Sequence, residues 1–346
     1  MVRDIGIDLG TYKTIVYIKS RGIIFEEPSV VAYNLKTSDV VAVGKEAYNM
    51  IGKTPDYIKT IRPILSGVVC DYKFVEKMII NIFKKINNSR LLNFKLFRPR
   101  VAICVPSVVT DVERNAIIDV ALSVGAKTVF IIDEPVAAAL GEKIDISKPK
   151  GRLVVDIGGG SADIALLSLN GIVVKSSIRV AGDSFDKAVI KIIKEKYNLD
   201  LGENIARLIK EKIGLVDFKN SRDFENNYII AKGKDILTGL PRQSKVFSGD
   251  FKSEFNLISD QIIKEIKKVI EKAPPDLLSD IQSESILLTG GASKLRGLRE
   301  RIENKTKLKV FLPETAARSV AIGTGICFDY IKKIDEGLII KSAYKI

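Results

Sequence analysis

Val154-Val155-Asp156-Ile157-Gly158-Gly159-Gly160-Ser161-Ala162-Asp163 decides how this chain folds. A β-branched run ends on a carboxylate, turns through three glycines and a hydroxyl, and enters a second apolar run. A glycine turn after a buried strand lets backbone N–H groups approach phosphate oxygens without interference from a Cβ. One such turn is weak evidence, because glycine turns are common punctuation. The same grammar opens the chain roughly half its length earlier, as Ile5-Gly6-Ile7-Asp8-Leu9-Gly10-Thr11, and a third turn, Leu287-Leu288-Thr289-Gly290-Gly291-Ala292-Ser293, lies near the end. Plain hairpin turns would not need the leading Asp in both copies. The repeat predicts an internal duplication of one α/β unit, with two lobes gripping a nucleotide from both sides.

In that arrangement Asp8 and Asp156 face each other across a cleft. Two carboxylates repel there unless a cation lies between them, and Mg2+ with its waters, bridging to a polyphosphate, is the natural occupant. Thr11 and Ser161 offer hydroxyls; Gly10, Gly158, Gly159 and Gly160 offer amides. Walker spacing is absent, and so is GxGxxG after the first strand, which disfavours P-loop and Rossmann readings. Between the two loops lies Ile132-Asp133-Glu134-Pro135-Val136. Pro135 suits the first turn of a helix, which puts Glu134 at its N-terminal edge. There it either orients an attacking water or simply caps the helix dipole.

Composition sets limits on the chemistry. At 346 residues two lobes are a better expectation than one core. The 55 basic and 42 acidic residues leave a net charge of +13. Two readings stay open: an anionic partner or a solvated Lys-rich surface. No His is present, which removes the commonest general base and metal ligand. Cys70, Cys104 and Cys327 lack zinc spacing and are expected to be buried free thiols in a reducing cytosol. The chain enters a strand at once, so no signal peptide is expected, and no run of 18 apolar residues marks a membrane span.

Strands are expected at Asp4 to Asp8, Thr14 to Ile18, Ser29 to Tyr33 and Val101 to Val105. Leu35 to Pro63 is a polar tract that fits a small inserted subdomain. Phe74, Val75, Met78, Ile79, Ile82, Phe83 and Ile86 recur at helical spacing and predict one buried face. Thr110 or Asp111 suits a helix N-cap, with Gly125 as the stop. Asp183 to Pro241 predicts two helices and a second polar insertion, Leu257 to Glu271 an amphipathic helix, and Ser285 to Thr289 a core strand.

The three loops together resemble the actin-like ATPase superfamily of actin, heat-shock chaperones and sugar kinases. Glu27-Pro28-Ser29-Val30-Val31-Ala32, Ala42-Val43-Gly44-Lys45-Glu46-Ala47, Arg98-Pro99-Arg100-Val101 and Ile178-Arg179-Val180-Ala181-Gly182-Asp183 narrow the resemblance to MreB, the bacterial actin, from residue 2 to about residue 328. It implies a duplicated α/β, actin-like (ribonuclease H-like) fold with four subdomains: IA (1–32, 65–147, 316–346), IB (33–64), IIA (148–181, 245–315) and IIB (182–244). It implies ATP or ADP with Mg2+ in the cleft, the metal held by Asp8 and Asp156 through water, and slow hydrolysis coupled to polymerisation. Glu134 matches the water-positioning acid, with Asp156 and Ser161 beside it. Lys210 and Glu211 match the pair that touches adenosine, and Gly290, Gly291 and Ala292 the adenine-side turn. Two departures stand out. Tyr12-Lys13 replaces a usual Ala-Asn, so that both residues enter the nucleotide set and Lys13 either approaches a phosphate or points to solvent. Ser161 replaces a usual Thr and loses the methyl that limits its rotamers, so hydrolysis is expected to be slower than in relatives.

Arg90-Leu91-Leu92-Asn93-Phe94-Lys95-Leu96-Phe97-Arg98 alternates large apolar residues with cations. Such a segment suits an anionic membrane surface, and the matching loop of MreB proteins inserts into lipid. The other reading tucks Leu92, Phe94 and Leu96 into the core. The tail after Cys327 is either a weaker second contact or a terminal helix. By resemblance, the helix Val112 to Val124 carries Val112, Ile117, Val120 and Leu122 near the interface of antiparallel double protofilaments. The expected partners are further copies of the chain, the membrane and other bacterial actins or shape proteins, with no nucleic acid. The expected location is cytoplasmic, on the inner face of the cell membrane. Wall synthesis, cell shape and motility are all open as the process served, and the Lys- and Ile-rich, Trp-free composition points to an AT-rich genome such as those of wall-less bacteria. The alternative function is a metabolic kinase of the same superfamily, although the chain has little spare length for an acceptor site. A chaperone-type ATPase would need a substrate domain beyond residue 346.

Overall fold

Two sheets repeat one topology. In the first, Gly22–Pro28, Lys13–Ile18 and Asp4–Leu9 form an antiparallel meander, and Arg100–Val105 and Thr128–Asp133 extend it in parallel. In the second, Gly171–Ile178, Ala162–Ser168 and Arg152–Ile157 form the same meander, extended in parallel by Ile286–Thr289 and Val310–Phe311. The computed structural model describes residues 4–65, 68–88, 98–106, 110–217, 222–331 and 339–343. The expected duplication is therefore present over five strands of each sheet, and the first sheet carries Ile339–Ala343 as a sixth strand at its edge. Both central pairs are apolar on both faces, as parallel strands covered by helices must be; Ile5, Ile7, Val101, Ile103, Val154, Val155 and Leu288 are all buried.

Helices fill three layers around the sheets. Tyr72–Asn88 and Asp111–Ser123 cover the outer face of the first sheet, and all seven apolar residues of the periodic face from Phe74 to Ile86 are buried there. Thr110 is the N-cap of Asp111–Ser123: its hydroxyl accepts from the Glu113 N–H, and the Glu113 carboxylate accepts from the Thr110 N–H. Glu134–Gly141 and Ser319–Ile326 lie between the sheets, in one cluster with residues of both. Gly182–Tyr197, Glu203–Ile213 and Lys252–Glu271 cover the outer face of the second sheet around Phe185, Phe251 and Phe255. Two small sheets rise from the lobes: Val40–Val43, Val31–Asn34 and Ile58–Ile61 from the first, and Leu199–Asp200, Tyr228–Asp235 and Pro241–Phe247 from the second.

Several local expectations are corrected. The strand expected at Ser29 to Tyr33 is Val31–Asn34, and an unexpected strand, Gly22–Pro28, precedes it. Every residue of Gly22–Pro28 is half-buried, so it lacks the alternation that reveals a strand. The tail is not a terminal helix: Ile339–Ala343 pairs antiparallel with Thr128–Asp133 and covers the edge of that strand. Ile117 is buried in the core, whereas Val112 is 76% exposed. Cys70 is exposed, and only Cys104 and Cys327 are buried; none of the three forms a disulfide. Leu91, Leu92, Phe94, Leu96 and Phe97 lie outside the described residues. Among the described residues, no helix is long and apolar enough to cross a membrane.

Candidate nucleotide cleft

Strand register places the two Asp residues in equivalent positions. Asp8 pairs across the parallel step with Cys104, and Asp156 pairs with Thr289. Each partner donates to the carboxylate it faces: the Cys104 thiol to Asp8 Oδ1 at 3.3 Å, and the Thr289 hydroxyl to Asp156 Oδ1 at 2.6 Å. The two loops after these strands are anchored separately. Ser29, fully buried, donates to the Gly10 carbonyl at 2.7 Å and meets Thr14 at 2.9 Å. In the second loop the Gly158 N–H donates to the Ser161 carbonyl, and the Gly158 and Gly159 carbonyls accept from Gly182 and Asp183 at the start of Gly182–Tyr197. Gly290 has a φ of +88°, and a Cβ there would stand 2.2 Å from the Ile157 carbonyl oxygen, so only glycine fits this turn.

These loops enclose a cavity of about 510 Å3 between the lobes. Asp8, Gly10, Thr11, Tyr12 and Lys13 line it from the first lobe, with Glu134 at the start of its helix. Asp156, Gly158, Gly159, Gly160 and Ser161 line it from the second. Lys210, Glu211, Gly290, Gly291 and Ala292 complete the far end. The sequence-level residue set thus converges on one cavity. The Lys13 ammonium lies 3.0 Å from Glu26, which also binds Arg318, and its side chain is 55% exposed. Lys210 is buried; its ammonium lies 2.7 Å from Asp186 and donates to the Gly182 carbonyl at 3.1 Å. Burial holds its pKa below the usual Lys range, with Asp186 opposing that effect. Glu211 accepts from Arg207 at 3.2 Å.

Carboxyl groups concentrate in and beside the cavity. Burial among protein atoms raises the Asp8 carboxyl to about 6, and burial also raises Asp156. Glu134 is pushed well above the usual Glu range, first by burial and then by the charges of Asp163, Asp156 and Asp8. A pocket that collects carboxylates at this cost suits an occupant bringing positive charge. Among the described residues no three His, Cys, Asp or Glu side chains are arranged to hold one metal ion directly. Carboxylate oxygens such as those of Asp8 and Asp156 are the donor type that hard divalent cations take.

Some of the site escaped sequence reasoning. Asp163 is fully buried and faces Asp156 in strand register, where Ile15 faces Asp8 in the other lobe. Its signal was an acid inside the otherwise apolar run from Ala162 to Leu167. Thr289 and Cys104 carry no local signal, because only pairing brings them to the carboxylates. Asp133, one residue before Glu134, joins the lobes: Lys175 from the second lobe lies 3.1 Å away and Arg114 3.9 Å away.

Comparison with known proteins places the chain among relatives of one family. The model of the MreB/Mbl protein family matches residues 2–336. The cell shape-determining protein Mbl of Bacillus cereus is 40% identical over 332 residues, spanning 96% of this chain and 97% of that protein. The crystal structure of MreB5 of Spiroplasma citri bound to ADP superposes with a TM-score of 0.87 at 33% identity, covering 95% of this chain and 97% of that one. The same protein bound to AMPPNP gives 0.87 at 34% identity, with 95% and 96% covered.

Proposed function

Because this chain belongs to the MreB/Mbl family of cell shape-determining, actin-like proteins, we propose that it is a cytoskeletal ATPase that binds ATP in the cleft and polymerises. The observation that supports this best is the pair of register-matched carboxylates, Asp8 and Asp156, lining one cavity with Glu134 at its edge. Relatives solved with ADP and AMPPNP fit the same reading. Asp8 and Asp156 would hold Mg2+ through its waters, and the ion would neutralise polyphosphate charge. Glu134 would orient the attacking water, Thr11, Ser161 and the glycine amides would bind phosphate, and Lys210, Glu211 and the Gly290–Ala292 turn would receive the adenosine. The four-subdomain division stated above, with IB and IIB carrying the small sheets, belongs to this proposal.

The filament is proposed as an antiparallel double protofilament on the cytoplasmic face of the cell membrane, serving cell shape or motility. High-speed sedimentation with Mg-ATP, with Mg-ADP and without nucleotide tests the core of the reading. ATP-enhanced pelleting, with filaments visible by electron microscopy, is the expected result. Protein that stays soluble while hydrolysing ATP would point to a kinase instead. In the same preparation Ser161→Thr should release phosphate severalfold faster, because the added methyl restricts the hydroxyl rotamer; an unchanged rate would remove Ser161 as the cause of slow hydrolysis. For the membrane, a Leu92→Ser/Phe94→Ser double variant should lose most of its co-flotation with anionic liposomes. Full retention would count against the membrane role of those side chains.

A further inference from the structure

We propose that Tyr12 is a clasp joining the two lobes across the cleft, and that nucleotide leaves this protein only when the clasp opens. The inference rests on the nucleotide reading above and adds a release step to it. Tyr12 stands in the turn between Asp4–Leu9 and Lys13–Ile18, on the first lobe. Its hydroxyl donates to Asp186 Oδ2 at 2.8 Å, on the helix Gly182–Tyr197 of the second lobe. Two guanidinium groups lie over its ring. Arg207, from Glu203–Ile213 of the second lobe, is 3.6 Å from the centroid, and Arg62, from the first-lobe segment after Ile58–Ile61, is 4.4 Å from it. One ring thus gathers cations from both lobes, at distances where cation–π attraction is strong.

The second phosphate loop is shaped to receive this ring. A Cβ on Gly159 would stand 2.1 Å from Tyr12 Cδ2, so any side chain there would expel the ring from its seat. The clasp also reaches the adenosine end of the cavity, because Asp186 binds the Tyr12 hydroxyl through one oxygen and the Lys210 ammonium through the other. Burial and the neighbouring Asp186 and Asp183 charges hold the phenol far above its ordinary pKa, so it remains a donor across the physiological range. Opening the cleft would break the charge-assisted hydrogen bond and separate the ring from Arg207 together.

The test is release of a fluorescent N-methylanthraniloyl ADP from the full chain, chased with excess unlabelled ADP. Tyr12→Phe, which keeps the ring, should speed release about tenfold, and Tyr12→Ala about a hundredfold, from loss of the hydrogen bond and of the ring contacts. Arg62→Ala separates a clasp from a direct ligand contact, since Arg62 touches the ring but is not among the residues lining the cavity. It should speed release severalfold. If Tyr12→Phe and Arg62→Ala release at the wild-type rate, the clasp is overturned and nucleotide binding stands. If only Tyr12→Ala is faster, Tyr12 is a ligand contact and the clasp is again overturned. A wild-type chain that does not bind the labelled ADP overturns the nucleotide reading and the clasp with it. Because Tyr12→Phe removes only the hydroxyl and keeps the ring, loss of folding in Tyr12→Ala leaves the decision intact.

Discussion

Glu134→Gln should keep its nucleotide and slow phosphate release about a hundredfold or more, the span a positioned acid–base group contributes. Glu134 begins the helix Glu134–Gly141, lines the cavity, and is crowded by the charges of Asp163, Asp156 and Asp8. A carboxylate placed there carries repulsion that the fold alone does not reward. Gln is the neutral isostere of the protonated acid that burial and these neighbours favour, and its amide donates to Asp163 as that acid does. The nucleotide-free variant should therefore melt no lower than the wild type, while single-turnover phosphate release collapses. Stability retained together with activity lost is the signature of a group held for chemistry rather than for packing. Release at the wild-type rate would take the water-orienting role away from Glu134 and leave it the helix-capping one.

Gly323→Ala should lower stability by about 3 kcal/mol or more, at the upper end of overpacking costs. Gly323 lies on Ser319–Ile326, and a Cβ there would stand 1.7 Å from the Ala137 carbonyl oxygen and 2.8 Å from the Gly141 nitrogen. Gly141 is equally constrained from the other side, with the Ser319 carbonyl oxygen 2.0 Å from its would-be Cβ. The two helices touch backbone to backbone between the sheets, so no side chain can turn aside to make room. Gly202→Ala is the control, since nothing lies within 4 Å of that position and only the weak capping preference of Gly over Ala at the start of Glu203–Ile213 is lost; it should lower stability by no more than about 1 kcal/mol. Urea unfolding of the three proteins measures both. A Gly323→Ala midpoint equal to the wild type would mean the helices separate freely. Because Glu134 opens one of these helices, the same substitution should also disturb the cleft.

What the sequence determined by itself is local. The strand–carboxylate–glycine grammar around Asp8 and Asp156, the start of a helix at Glu134-Pro135, the buried face of Tyr72–Asn88 and the cap at Thr110 all depend on neighbours within a few residues, so spacing alone reveals them. The repeat of that grammar was enough to expect a duplicated fold. Other features were decided only by tertiary structure. Gly22–Pro28 is a strand because Lys13–Ile18 offers it an edge, and its half-buried residues carry no alternation of their own. Ile339–Ala343 is a strand for the same reason, at the opposite edge of the sheet. Cys104 and Thr289 reach the paired carboxylates through register between strands far apart in the chain, and Tyr12 meets Asp186 across 174 positions. Hydrogen bonds and charges act over a few ångströms of space whatever the distance along the chain, so contacts made by closing two lobes on each other exist only once both lobes have folded.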